Sequence, residues 1–70
     1  MTEGVLSIQK NNIYVSGESG NVPVCSGQYM YLNIQECWVP VIIAHSDKTG
    51  KWYFRYLENL KVNGQKVAVE

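Results

Sequence analysis

Seventy residues with 46% hydrophobic content make one folding unit, too short for two domains and too apolar for a disordered chain. Six basic residues balance six acidic ones, which separates the chain from dedicated nucleic-acid binders, whose affinity rests on a basic excess. No apolar run approaches the ~18 residues of a membrane-spanning helix.

The start, Met1-Thr2-Glu3-Gly4, has neither the cationic opening nor the apolar stretch of a signal peptide. The expected location is therefore the cytoplasm, with Cys25 and Cys37 as reduced and buried thiols. Charge is unevenly spread. Residues 1–45 hold Lys10 against Glu3, Glu18 and Glu36, whereas residues 46–70 hold Lys48, Lys51, Arg55, Lys61 and Lys66 against Asp47, Glu58 and Glu70.

Val5 to Gln9 reads as a first strand, Asn11-Asn12 as a turn, and Ile13 to Val15 as a second strand completing a hairpin. Ser16 to Pro23, with Gly17, Ser19, Gly20, Asn21 and Pro23, reads as the longest loop. Gln28 to Ile34 follows as a third strand. Met30, Leu32 and Ile34 lie on one face of it and Tyr29 and Tyr31 on the other, as a side-chain period of two requires. Cys37 to His45 is apolar at nearly every position, the pattern of a central strand. Pro40 lacks a ladder donor, so a bulge or bend is expected there.

Ser46 to Gly50 is a polar hairpin loop. Lys51 to Leu57 makes a fifth strand, with Trp52, Phe54 and Tyr56 on one face and Tyr53, Arg55 and Leu57 on the other. Glu58 to Leu60 suits a single tight turn, and Asn63-Gly64 is a type I′ hairpin dipeptide. Val67 to Val69 then closes the sheet. No segment has helical periodicity over ten or more positions; the nearest, Tyr56 to Val62, is too short. Five to six short antiparallel strands at regular spacing predict an all-β domain occupying residues 1–70, a small barrel or a sandwich, and closing the sheet into a barrel would remove exposed edges. At least half of the eight aromatic residues are expected in its core.

Ser26-Gly27, Trp38, Ile43 with His45, Trp52-Tyr53, Leu60, Gly64 and Val67 with Val69 together form a pattern. It resembles an uncharacterised family of small SH3-like barrel proteins typical of Firmicutes and of their plasmids and conjugative elements. The resemblance covers about two-thirds of the chain. Family members tend to carry charges in the Trp-led strand, whereas Val41-Ile42-Ile43-Ala44 is apolar here. The resemblance implies an SH3-like barrel and a mobile-element context. It implies no activity.

Residues with reactive side chains form no catalytic or metal-binding pattern. Cys25, Cys37 and His45 lack the paired spacing and the fourth ligand of a structural zinc site. His45-Ser46-Asp47 has the letters of a triad, but consecutive residues cannot present three side chains in relay. Gly17 to Gly20 lacks the Lys and the helix of a phosphate loop. The expectation is a non-enzymatic module with no cofactor and no metal.

Aromatic side chains are the feature above background, since each joins a flat apolar face to a polar edge. Tyr29, Tyr31 and Tyr53, with Arg55, are the candidate surface for another protein, aided by the Ser16 to Pro23 loop. The alternative is a nucleic-acid-binding accessory of a mobile element using Lys48, Lys51, Arg55, Lys61 and Lys66. A homodimer joined through the apolar fourth strand is a third expectation.

Overall fold

The computed structural model describes residues 2–18 and 20–69. Their strands are β1 (Thr2–Gln9), β2 (Asn12–Gly17), β3 (Gly20–Pro23), β4 (Tyr29–Ile34), β5 (Cys37–His45), β6 (Trp52–Phe54) and β7 (Lys66–Val69), with no helix among the described residues. The all-β class read from the sequence holds. All seven strands join one antiparallel sheet in the order β3-β2-β1-β7-β4-β5-β6.

That order corrects several expectations. Among the described residues the strands number seven, not five or six, and no ladder joins the edge strands β3 and β6, so the barrel is not closed. Both edges are short, four and three residues, and a gap stays between them. A side chain bridges part of it instead: Trp52 Nε1–H donates to the Asn11 carbonyl, 3.3 Å away, tying β6 to the β1–β2 turn. Val67 to Val69 does not close the sheet but forms its centre, because β7 pairs with β1 on one side and β4 on the other. All three residues are buried accordingly.

The segment expected as a loop from Ser16 to Pro23 is mostly a hairpin. Ser16 and Gly17 extend β2, and Gly20 to Pro23 pair back onto it in register from Gly17↔Gly20 to Tyr14↔Pro23. Gly, Asn and Pro are poor strand formers, yet all four β3 residues are exposed. Such residues suit an edge, where Pro gives up no needed donor. Close approach of β1 and β2 explains two glycines nearby. A Cβ on Gly4 would lie 2.5 Å from the Ser16 carbonyl oxygen, and one on Gly17 would lie 2.7 Å from that of Glu3.

Pro40 creates no bulge. The β4–β5 register runs unbroken from Ile34↔Cys37 to Tyr29↔Ile42. Arg55 N–H donates to the Ile42 carbonyl, so Ile42, and Pro40 two residues before it, turn their backbone groups away from β4. The missing Pro donor thus points to the side of β5 where β6 does not reach, since β6 pairs only with Ile43, Ala44 and His45. β5 is central at its end and an edge at its start.

The fifth strand stops at Phe54 rather than Leu57, because the chain turns at Arg55-Tyr56 and Leu57 N–H bonds the Phe54 carbonyl. The expected tight turn follows, with Leu60 N–H bonding the Leu57 carbonyl. Asn63-Gly64 is a turn but not a hairpin. Only Gly64 has positive φ, 90°, and the segment docks on β1 through Gly64 N–H to Leu6 O and Asn63 Oδ1 to Ile8 N–H. The unforeseen type I′ turn is Gln35-Glu36, with φ values of 49° and 68°, between the paired residues Ile34 and Cys37.

The core is aliphatic. Leu6, Ile13, Val15, Met30, Leu32, Ile43 and Val67 form one cluster with Phe54, and Val24, Val41, Val62 and Val69 complete it. Phe54 is the one fully buried aromatic among the described residues, and Trp52 packs partly buried against the cluster. The expectation that half the aromatics are core therefore fails. Aliphatic residues from β1, β2, β4, β5 and β7 already fill a volume this small. Buried polar and charged residues are absent among those described. Both cysteines are exposed rather than buried, Cys25 beside a turn and Cys37 at the first position of β5.

Candidate functional site

Register and strand alternation together define the face of the sheet turned away from the core. Pairs Asn33↔Trp38, Tyr31↔Pro40 and Tyr29↔Ile42 put six side chains of the β4–β5 hairpin on it. Ala44↔Tyr53 and the Arg55-to-Ile42 bond extend the same face to β6 and the turn after it. The four candidate residues Tyr29, Tyr31, Tyr53 and Arg55 therefore share one face.

They do not all share one depression. Tyr29 and Arg55 line a groove of about 220 Å³ with Pro40, Val41, Ile42 and Tyr56. Tyr31 adjoins it by an edge-to-face contact with Tyr29, ring centroids 5.4 Å apart at 85°. Tyr53 is half-buried and lines a separate shallow depression with Ser46, Thr49 and Glu58. None of the groove-lining residues comes from the β2–β3 hairpin, so the expected contribution of Ser16 to Pro23 is not at this groove.

Trp38, Pro40, Ile42 and Tyr56 were missing from the sequence reading of the surface. Trp38 is 40% exposed and Tyr56 is 91% exposed, on a chain whose largest buried side chain is Phe54. A two-residue turn at Gln35-Glu36 would have shown Trp38, Pro40 and Ile42, because it fixes their register against the tyrosines. No sequence signal marks Tyr56. The alternation that serves Trp52 and Phe54 carries it to the core side, and only the chain reversal takes it out.

The basic residues spread over three elements. Lys48 lies in the β5–β6 loop, Lys51 just before β6, Arg55 and Lys61 in the β6–β7 connection, and Lys66 on β7 opposite Val5. All are exposed. β4 separates β7 from β5 in the sheet.

A third concavity, of about 360 Å³, opens between Asn11, His45, Gly50 and Trp52. There the His45 ring packs against Trp52, centroids 5.1 Å apart. His45 Nδ1 is 3.6 Å from an oxygen of the fully exposed Asp47. The hydroxyl of Ser26 accepts a bond from the His45 backbone N–H, 3.0 Å, so Ser26 fixes the strand end and leaves the imidazole alone. That geometry aligns no nucleophile with a base. Among the described residues no three His, Cys, Asp or Glu side chains gather as metal ligands.

No family model, curated protein or solved structure matches this chain.

Proposed function

We propose that the protein is a small interaction module that grips an extended segment of another protein on the outer face of the β4–β5 hairpin. The observation that carries this reading is the gathering of Tyr29, Tyr31, Trp38, Pro40, Ile42 and Tyr56 on one solvent-facing surface. Tyr29 is 52% exposed. A folded core that leaves large aromatics in water while filling itself with Val, Leu and Ile has apolar area reserved for contact. Tyr, Trp and Arg are also the residue types that dominate binding energy at interfaces. Aromatic-lined grooves on small β domains take up extended, proline-containing segments because such segments lose little entropy on docking. The resemblance to the SH3-like family of mobile elements is compatible with such a module and adds no activity to it.

The test is affinity capture from lysate with and without nuclease treatment, read by mass spectrometry, with wild-type protein and with the Tyr29→Ala/Trp38→Ala double variant. Circular dichroism checks that the variant is folded. Proteins retained by wild-type and lost by the folded variant support the module. Identical retention by both overturns it, and capture that vanishes with nuclease treatment favours the nucleic-acid alternative through the dispersed lysines.

A further inference from the structure

The groove beside Arg55 has a chemical character of its own, and we infer that the segment it accepts carries an acidic side chain next to an apolar one. This rests on the interaction-module reading and names its ligand. Three observations lead to it.

First, the groove is apolar on its floor and singly cationic at its rim. Pro40, Val41 and Ile42 line it from β5, Tyr29 from β4, and Arg55 and Tyr56 from the turn. Arg55 is the one charged residue among the lining residues. Among the described residues it makes no ion pair.

Second, Arg55 is held in place. Its own N–H donates to the Ile42 carbonyl at 2.9 Å, and the next turn bond, Leu57 N–H to Phe54 O, closes at 3.0 Å. The anchor preceding it, Phe54, is 0% exposed. A guanidinium on a fixed backbone at an apolar rim is suited to paired hydrogen bonds with a carboxylate, a geometry that lysine cannot reproduce.

Third, Tyr56 stands at the rim at a cost. It has a φ of 66° and 91% exposure. Left-handed backbone costs a non-glycine residue free energy, and an exposed ring returns none of it through packing. Backbone outliers of this kind gather at binding sites. Arg55 and Tyr56 are adjacent in the turn, so a ligand lying on Tyr29 and Tyr56 passes the guanidinium. The apolar side chain sits over Pro40 and Ile42 while the carboxylate meets Arg55.

A random peptide library displayed on phage tests the inference, panned on wild-type protein and on Arg55→Glu, with bound sequences read out and synthetic peptides measured by fluorescence polarisation. Enrichment of Asp or Glu beside Pro or an aliphatic residue on wild-type, with about tenfold or greater weakening of those peptides on Arg55→Glu, is the expected result. Arg55→Glu should in turn select Lys- or Arg-bearing peptides. Peptides that bind wild-type without acidic enrichment, or that bind Arg55→Glu equally well, overturn the inference and leave the module standing. Failure of the folded wild-type to enrich any peptide overturns both. Binding of a fluorescent single-stranded oligonucleotide that depends on Arg55 and displaces the selected peptides replaces the acidic segment with a phosphate backbone.

Discussion

Tyr56 and Gly64 occupy the same position in two turns of the same kind. Each is the third residue of a four-residue turn closed by an N–H to carbonyl bond, Leu57 to Phe54 and Gln65 to Val62. Each alone in its turn has positive φ, 66° for Tyr56 and 90° for Gly64. This is the type II pattern, whose third residue favours glycine. One turn has the favoured residue and the other carries a tyrosine.

Replacing Tyr56 by Gly removes left-handed strain worth about 1–2 kcal/mol and adds backbone entropy to the unfolded chain worth about 0.5–1 kcal/mol. Tyr56→Gly should therefore leave urea-unfolding stability unchanged or raise it by up to about 1 kcal/mol, while weakening ligand capture. Gly64→Ala should move the other way by about 1 kcal/mol, although its Cβ would meet open space. A loss of stability in Tyr56→Gly as large as that in Gly64→Ala would make Tyr56 part of the fold rather than of the binding surface.

Gly4 is fixed by space rather than by dihedral angle. An added Cβ would lie 2.5 Å from the Ser16 carbonyl oxygen and 2.7 Å from Val15 Cγ1. The carbonyl belongs to paired backbone, Val5↔Ser16, and has no room to move without parting β1 from β2. Gly4→Ala should cost roughly 1–3 kcal/mol, read as a lower melting temperature of at least several degrees. An unchanged melting temperature would mean that the two strands sit farther apart than described.

The core predicts a steep dependence on Phe54. It is the largest fully buried side chain among the described residues and belongs to the one cluster that gathers aliphatic residues from across the sheet. Phe54→Ala should cost about 3–5 kcal/mol, a large part of the whole stability of so small a domain. The variant should show a collapsed near-ultraviolet spectrum at room temperature. Phe54→Leu, which keeps most of the volume, should remain folded with a reduced urea midpoint. A fully cooperative Phe54→Ala variant would contradict the placement of Phe54 in the core.

How much of this was legible in the residues follows from where local signals end. Period-two alternation in Tyr29 to Ile34 correctly separated Met30 and Leu32 from the tyrosines, because each strand position reports its own face. The hairpin loop from Ser46 to Gly50 was legible from its polar residues and joins paired residues His45 and Trp52. Alternation failed at Tyr56, since it assumes that a strand continues, and the chain reversal after Phe54 has no Gly or Pro to announce it. It also failed to place β7 at the centre. Three consecutive small apolar residues, Val67-Ala68-Val69, suit an end or a middle equally well, and only pairing with both β1 and β4 decides. The four surface candidates were placed on their common face, but the groove needed Pro40 and Ile42, which the expectation of a bulge had detached from the tyrosines' register.

The β4–β5 turn invites a stabilising change. Gln35 and Glu36 both hold positive φ in a two-residue connection, where Asn-Gly is strongly preferred. Both residues are exposed. Gln35→Asn/Glu36→Gly should raise stability by about 1 kcal/mol and shift the melting temperature upward by several degrees. Because the turn sets the register that joins Trp38 to Asn33 and Pro40 to Tyr31, ligand capture should be retained in the variant. A destabilised double variant would show that the connection is not the two-residue turn described.

Cys25 and Cys37 lie at opposite ends of β4. Cys25 precedes the turn into that strand, its N–H bonded to the Gln28 side chain, while Cys37 pairs with Ile34 at the far end. Six extended residues separate the ends by about 17–20 Å, well beyond the roughly 7 Å between Cα atoms that a disulfide permits. Both thiols are exposed, so oxidation should join molecules rather than staple one. Mild oxidation is expected to produce dimers and a ladder of higher species on a non-reducing gel, all reverting with reductant, and single Cys→Ser variants should stop at dimers. An oxidised monomer whose mass is two hydrogens lower would instead require the two ends of β4 to meet, which an intact strand forbids.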